Sequence, residues 1–238
     1  DGQDGQQILE ELHERKILRK NTLFILVTAE TTSARVMGAI EFRPDAYLTK
    51  PFSAEQLGQR LKRLVSKNQV LGPIHQAIDD GHIQRALQLC DQVIQQAPTL
   101  RFSCLRLKSE LLELEQQYDQ AMALYQQVAE EQDLLWALLG IGRLYFQQDE
   151  VQRALEHFHT MQQNFPQQVS VYDWIAKCQH SLGQLEAAET NLQQAVSISP
   201  KSVARQATLG EIAENLQHHE LAHKTFTSVI EQGQHSCL

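Results

Sequence analysis

The sequence predicts a mainly α-helical protein, a solenoid of repeated helical hairpins preceded by a smaller, partial α/β domain. Two observations predict this fold: a pattern that recurs throughout residues 67–238, and two short apolar runs among amphipathic segments before it. Helices that alternate with buried strands are typical of a parallel sheet covered by helices. We therefore expect one region over residues 1–66 and a second over residues 67–238.

The recurring pattern of the second region is centred on an alanine. Five alanines lie 35, 33, 34 and 34 residues apart: Ala86, Ala121, Ala154, Ala188 and Ala222. Four residues after each alanine comes an aromatic residue, a leucine or a cysteine: Cys90, Tyr125, Phe158, Leu192 and Phe226. Three copies end on proline at the same phase: Pro98, Pro166 and Pro200. This pattern resembles the tetratricopeptide repeat, a helix–turn–helix unit of about 34 residues.

The resemblance implies five copies of this unit, over residues 67–101, 102–134, 135–168, 169–202 and 203–236. One hairpin cannot bury its apolar face alone, so each copy stacks on the next. Small residues are expected at close helix contacts, with Gly142 and Gly210 in first helices and Gly183 in a turn. Proline suits the first turn of a helix, so we expect the first copy to begin its short first helix at Pro73, after a lead-in over residues 66–72.

The resemblance also implies a concave groove, lined by the first helix of each copy, that binds a protein partner. Seven candidate groove residues follow from the phases that line it: Arg106, Trp136, Arg143, Phe146, Asp173, Lys177 and His180. The same phases in the last copy carry Glu211 and Glu214. Tryptophan and arginine are frequent anchors of protein interfaces. The alternative, that Trp136 packs on its own neighbours, stays open.

Residues 1–66 do not follow the repeat. Leu23–Val27 is a continuous apolar run, typical of a strand buried on both faces, and Ala46–Thr49 is a second short strand. Helices are expected over Gln6–Arg19 and Thr31–Phe42. A third helix is expected after Ser53, with Gln56 placed to complete a capping box.

Two segments of this region, Leu26–Glu30 and Pro44–Phe52, resemble the second half of a response-regulator receiver domain, which has a flavodoxin-like fold. The resemblance implies three switch residues. Thr28 contacts the phosphoryl group, Tyr47 changes rotamer with it, and Lys50 forms an ion pair with the phosphate. It also implies a cis peptide bond between Lys50 and Pro51.

The acidic residues of a receiver are not found in this segment. A receiver needs an acidic pair and a phosphoacceptor Asp, whose oxygens hold Mg²⁺. Asp4-Gly5 resembles the pair that follows the acceptor, which places the acceptor upstream of residue 1. We therefore expect a fragment with half of a switch site, no cofactor in this chain, and Mg²⁺ only in the complete receiver. The alternative is that Thr28 and Lys50 are ordinary loop residues.

Composition excludes several classes of partner. The chain has 238 residues and a formal net charge of −8, which disfavours nucleic acid. No apolar run approaches the ~18 residues of a membrane span, so no membrane association is expected. The four cysteines include no C-x-x-C pair, which favours free thiols in a reducing, cytoplasmic setting. The histidines show no metal-site spacing, so no metal is expected.

The sequence therefore favours a non-enzymatic interaction module of a two-component response regulator, in which the repeats bind a protein partner under receiver control. Signalling proteins are the candidate partners, and the unpaired strand edge of an incomplete receiver predicts a homodimer through that edge. No phosphate-binding loop, nucleophile elbow or HExxH motif points to an enzyme. The alternative function is a constitutive scaffold with a degenerate receiver that is never phosphorylated.

Overall fold

The structure is a computed structural model that describes residues 8, 9, 12, 19, 22–29 and 44–233, and it is mainly helical. Of the predicted first helix, Ile8, Leu9 and Leu12 are helical, and its other residues lie almost entirely outside the described ones. The predicted helix over Thr31–Phe42 and Cys237 also lie outside the described residues. Within the described part, every helix is too short or too polar to cross a membrane.

A two-stranded parallel sheet lies in the first region. Strand β1 is Ile25–Thr28 and strand β2 is Ala46–Thr49, paired in a register that sets Ile25 opposite Ala46. Both predicted strands are confirmed, the first shifted by up to two residues. The prediction that the first strand is buried on both faces is wrong, because Val27 is 40% exposed.

Ten helices follow within the described residues. They are α1 (Ala54–Asp79), α2 (Ile83–Gln96), α3 (Arg101–Leu114), α4 (Tyr118–Glu131), α5 (Leu135–Gln147), α6 (Val151–Asn164), α7 (Val169–Ser181), α8 (Leu185–Ile198), α9 (Val203–Asn215) and α10 (His219–Gly233). A short 3₁₀ turn, Pro98–Leu100, precedes α3. From α2 onwards each is 13 to 15 residues long, which is the length of one arm of a helical hairpin.

Helix α1 corrects one prediction. It runs without a break through Pro73, so the expected lead-in over residues 66–72 and the helix start at Pro73 are wrong. A proline inside a helix removes a single hydrogen bond, and the burial of Leu71 and Ile74 on either side holds the helix together. The capping box is confirmed: the Gln56 N–H donates to Ser53 Oγ at 3.1 Å, and the Ser53 N–H donates to Gln56 Oε1 at 2.8 Å.

The chain divides into two compact units. One contains Phe52–Gln148 and the other contains Ile25–Pro51 and Asp149–Leu238. We call their helical parts the 52–148 unit and the 149–238 unit. In each, every helix packs against the next one in the chain, as expected for stacked hairpins. The expected domain border at residues 66 and 67 falls inside α1, and the border of the compact units falls at residue 148.

The five repeat alanines lie in the cores of these units. Ala86, Ala121, Ala154 and Ala188 are fully buried and Ala222 is 1% exposed, which confirms the prediction. A methyl group is small enough to let two helix backbones approach, and its burial removes apolar surface from water. The side chains four residues later are also buried in four copies, namely Cys90, Tyr125, Phe158 and Leu192.

Two glycines lie beneath aromatic rings of this pattern. A Cβ atom on Gly140 would lie 2.5 Å from Tyr125 Cε1, and one on Gly210 would lie 2.7 Å from Phe226 Cε1. Gly210 was predicted at a close contact and is confirmed. Gly142 is buried on α5, and Gly140, two residues before it, was not predicted. No larger residue fits at 140 or 210 without displacing the ring.

The turns within the hairpins share one backbone conformation. A residue with positive φ stands in each: Gly81 (75°), Gln116 (59°), Asp149 (64°), Gly183 (73°) and Gln217 (61°). At Gln116 the turn is a Schellman motif, in which the Gln117 N–H donates to the Leu112 carbonyl at 2.8 Å and the Gln116 N–H donates to the Glu113 carbonyl at 3.0 Å. The predicted turn glycine, Gly183, is confirmed.

Candidate partner-binding surface

In the 52–148 unit, the first helices of two neighbouring repeats are joined by an ion pair. Arg143 Nη2 on α5 donates to Glu113 Oε1 on α3 at 2.8 Å and to the Tyr125 hydroxyl at 3.1 Å. The side chains are largely buried, 22% exposed for Arg143 and 11% for Glu113. The structure thus brings predicted groove phases of successive repeats together, and it occupies them with one another.

The electrostatics of this cluster fix its charge state. Burial lowers the pKa of the Arg143 guanidinium, but the neighbouring Glu113 carboxylate outweighs burial and holds that pKa above its ordinary value. Burial is the main cause that raises the pKa of the Tyr125 hydroxyl, and Arg143 opposes it only in part. Arg143 therefore stays charged and Tyr125 neutral throughout the physiological range.

The other candidates of this unit are partly engaged. Arg106 Nε donates to Glu110 Oε1 on its own helix at 2.9 Å. The half-buried Trp136 ring meets the Tyr125 ring edge-on, with centroids 5.9 Å apart and an interplanar angle of 63°. Trp136 thus packs on the core of its own unit, as the open alternative held, and Phe146 is half-buried at the end of α5.

In the 149–238 unit, Asp173 belongs to a buried clamp. Arg205 Nε and Nη2 donate to the two carboxylate oxygens of Asp173, both at 2.8 Å, and Arg205 Nη1 donates to the Ser199 carbonyl at 3.1 Å. The Arg205 side chain is only 3% exposed. Two parallel N–H···O bonds hold the carboxylate in one orientation. Asp173 therefore ties α7 to α9.

Arg205 was not predicted, because arginine is usually exposed and its partner lies 32 residues earlier in the chain. Periodicity finds residues that repeat a phase, and this pair joins two different phases.

Lys177 and His180 are the exposed candidates of α7. They stand three residues apart and so share one side of the helix. Lys177 Nζ lies 4.5 Å from the centroid of the Trp174 ring, a cation–π contact, and Trp174 stacks on Phe158 with centroids 5.6 Å apart. The corresponding phases of α9 carry Glu211 and Glu214, which are also exposed. We call Lys177, His180, Glu211 and Glu214 the charged face.

The three switch residues lie in or beside the small sheet. Thr28 ends β1, Tyr47 lies within β2, and Lys50 follows β2 directly. The Lys50 N–H donates to the Thr28 carbonyl at 2.7 Å, so these residues meet at the carboxyl edge of the sheet. The peptide bond between Lys50 and Pro51 is cis, as expected.

These switch residues do not form a metal site. Thr28 offers a hydroxyl and Lys50 an ammonium, whereas Mg²⁺ takes carboxylate oxygens and water. Among the described residues, no group of three or more His, Cys, Asp or Glu side chains is placed to hold a metal ion. The residues present do not fit Mg²⁺, and no chemical step is derived through it.

Comparisons with known proteins identify the helical part. Two family models described as tetratricopeptide repeat match residues 112–178 and 169–202. Residues 112–202 form tetratricopeptide repeats. Neither of the two family models is that of a receiver domain, and no curated protein matches the chain.

Solved structures of similar fold are other repeat proteins. MamA from Desulfovibrio magneticus RS-1 is 17% identical, with a TM-score of 0.57 over 71% of this chain and 96% of that one. A tetratricopeptide repeat protein from Parabacteroides merdae is 14% identical, with a TM-score of 0.56 over 71% of this chain and 67% of that one. A thermophilic repeat protein from Thermus thermophilus is 15% identical, with a TM-score of 0.55 over 70% of this chain and 91% of that one. At these identities the likeness shows the fold alone.

Proposed function

We propose that this chain is a non-enzymatic interaction module whose tetratricopeptide repeats bind a protein partner under the control of a receiver domain. Residues 1–66 are the second half of that receiver, and residues 67–238 are the five repeats. The observation that carries the first part is the match of residues 112–202 to the repeat family, together with exposed charges at groove phases of α7 and α9. Such repeats generally serve as scaffolds for other proteins.

The contacts of the described residues rank the candidate groove residues. Arg143 and Asp173 are committed to Glu113 and Arg205, so their charges are neutralised within the fold. Lys177 and His180 keep exposed side chains. We therefore assign the first contact with a partner to the charged face, and rim contacts to the half-buried Trp136 and Phe146 of the other unit. Arg106, paired on its own helix, takes a secondary role.

Binding measurements on a matched pair of variants test this assignment. Partners captured from a lysate of the source organism are identified by mass spectrometry, purified, and titrated against the chain by calorimetry. Lys177→Glu is expected to weaken binding about tenfold, which is ~1.4 kcal/mol. Arg153→Glu makes the same charge change on an exposed position of α6 and is expected to leave affinity within about twofold. Equal effects of the two variants contradict the assignment of the charged face.

Receiver control rests on the small sheet. Its two strands are parallel, and the segments that carry Thr28 and Lys50 meet at its carboxyl edge, as the switch residues of a receiver would. This chain alone is expected to take no phosphoryl group. Incubation with acetyl phosphate and Mg²⁺, read by intact mass, is expected to show no gain of ~80 Da. A stoichiometric gain contradicts the proposed position of the acceptor upstream of residue 1.

The second candidate function is a constitutive scaffold, favoured by the absence of a receiver among the two matching family models. Partner affinity of the longer protein, measured with and without acetyl phosphate, separates the two. A change in affinity supports control, and an unchanged affinity supports the scaffold.

We further propose self-association through β1, because Val27 is exposed and strand edges pair readily. Light scattering is expected to show a dimer that Val27→Lys converts to a monomer. A monomeric wild-type chain contradicts this proposal.

A further inference from the structure

Two buried thiols face each other where the first two repeats meet. Cys90 lies on α2 and Cys104 on α3, both are fully buried, and both belong to the same apolar core. The Cys90 thiol donates a hydrogen bond to the Cys104 sulfur. Sulfur atoms in this relation need only a small movement to reach bonding distance, since a disulfide is about 2.05 Å long.

The repeat pattern explains why these sulfurs meet. In the next two copies, the residue at the phase of Cys90 also contacts the following first helix: Tyr125 covers Gly140, and Phe158 stacks on Trp174. Cys90 makes the equivalent contact with Cys104 on α3. A small polarisable side chain thus replaces an aromatic ring at a junction between repeats, and it does so opposite a second cysteine.

The surroundings distinguish the two thiols. The hydrogen bond from Cys90 lowers the pKa of Cys104 against the effect of burial, and Lys67 adds to the lowering. The same hydrogen bond and burial raise the pKa of Cys90. An ion pair between Lys108 Nζ and Asp91 Oδ1, at 2.7 Å, holds α2 and α3 together beside the thiols. Cys104 is therefore the nucleophile of the pair, and Cys90 keeps its proton.

We propose that Cys90 and Cys104 are a redox-active pair that a peroxide closes into a reversible disulfide, which crosslinks the first two repeats. The Cys104 thiolate attacks a peroxide oxygen, the O–O bond breaks, and Cys104 becomes a sulfenic acid while hydroxide leaves and takes up a proton. The Cys90 sulfur then attacks the Cys104 sulfur, and the S–O bond breaks. The departing oxygen leaves as water with the Cys90 proton. Two thiols are oxidised to one disulfide, and one hydrogen peroxide is reduced to two waters.

Access to the pair requires local opening of the helices, because neither sulfur is exposed. The reaction is therefore slower than that of an exposed thiol, and it does not need the unit to unfold. The disulfide closes a loop of about 15 residues, which restricts the unfolded chain and raises the temperature of unfolding.

Cys178 provides the matched control. It is also fully buried, on α7, where burial raises its pKa to about 11. Peroxide-treated chain is quenched with catalase, denatured, alkylated with N-ethylmaleimide and mapped by mass spectrometry. The wild type is expected to lose alkylation at Cys90 and Cys104 together, with a mass lower by about 2 Da before alkylation, while Cys178 stays alkylated. A dithiol reductant is expected to restore both sites.

Variants sharpen the result. Cys90→Ala and Cys104→Ala are each expected to abolish the crosslinked peptide, whereas Cys178→Ala is expected to retain it. Full alkylation of Cys90 and Cys104 in the treated wild type, with circular dichroism showing a folded chain, overturns the proposal. So does a disulfide that joins either residue to Cys178 or to a second copy. Both outcomes are read on the wild-type chain, so the test holds even where a variant fails to fold.

Discussion

Arg143 and Lys177 occupy the same phase of successive repeats, 34 residues apart, and their surroundings differ. In the 52–148 unit, Arg143 is bound to Glu113 and to the Tyr125 hydroxyl and is largely buried. In the 149–238 unit, Lys177 is exposed and lies over Trp174. The repeat phase therefore sets where a side chain lies, and the residues around it decide whether a partner can reach it.

The sequence accounts for the difference. The phase of Glu113 is occupied by Gln147 one repeat later, and the phase of Tyr125 by Phe158. An amide replaces the carboxylate, and a phenyl ring without a hydroxyl replaces the phenol. Both hydrogen-bonding partners of Arg143 are thus absent at the corresponding phases for Lys177. Two substitutions in the repeat separate a structural cation from an exposed one.

The largest expected effect comes from the buried clamp of the 149–238 unit. Asp173→Ala leaves the Arg205 guanidinium buried without its carboxylate, and is expected to lower the free energy of unfolding by about 3 kcal/mol. Urea denaturation measures this change. Glu113→Ala, in the other unit, leaves the more exposed Arg143 and is expected to cost only about 1 kcal/mol. An equal cost for the two contradicts the view that the depth of burial of the arginine separates them.

The next effect tests the packing under the aromatic phase. Gly140→Ala sets a methyl group against the buried Tyr125 ring, and is expected to cost about 1–3 kcal/mol of unfolding free energy. Gly58→Ala is the matched control, because no atom lies within 4 Å of its Cβ position on α1. There the loss of glycine flexibility is expected to stabilise the chain by about 0.5–1 kcal/mol. Thermal unfolding of both variants gives the comparison, and a neutral Gly140→Ala shows that the ring moves away freely.

A smaller effect is expected at the turns, where the two units again differ in residue type. Gln116→Gly and Gln217→Gly relieve a left-handed backbone that disfavours residues with a Cβ, with an expected gain of about 0.5 kcal/mol each. Gln126→Gly, on the exposed side of α4, is the control and is expected to lose about 0.5–1 kcal/mol. Urea midpoints measure all three variants, and a loss at both turns contradicts the left-handed assignment.

The smallest effect concerns an exposed ion pair. Hydrogen bonds from Arg101, and then from Gln127, hold the pKa of the Glu131 carboxyl below its ordinary value. Because the folded pKa is the lower one, this pair stabilises the fold above the ordinary carboxyl pKa, and the contribution is lost as the pH falls through the folded pKa. Carbon NMR titration is expected to give a depressed pKa for Glu131 that Arg101→Gln returns towards its ordinary value. An unchanged titration in the variant assigns the shift elsewhere.

Sequence reasoning found the features that repeat. The buried alanines follow from their spacing, the cap from Ser53 and Gln56, and the two strands from their apolar runs. It erred at Pro73, because the rule that proline opens helices does not weigh the burial of Leu71 and Ile74 on either side. The family models extend only to residues 112–202, so the first and last expected copies rest on phase, helices and buried alanines alone.

The missed features are contacts between different phases. The pairs Asp173 with Arg205 and Cys90 with Cys104 join residues that share no position in the repeat. Periodicity holds no information about such pairs, since it compares each residue only with its own copies. The availability of the candidate groove residues depends on these contacts, and so it needed the structure.

The left-handed turns also determine how the array tolerates changes of length. In every copy the residue with positive φ stands five positions before the buried alanine, as Gly81 does before Ala86 and Asp149 before Ala154. The irregular spacings of 35 and 33 residues therefore arise outside this segment. One residue inserted between the turn and the alanine would rotate the rest of the second helix by about 100° and carry the methyl group out of the core. Each hairpin thus restarts the count for itself, so a length error in one connection is not passed to the next copy.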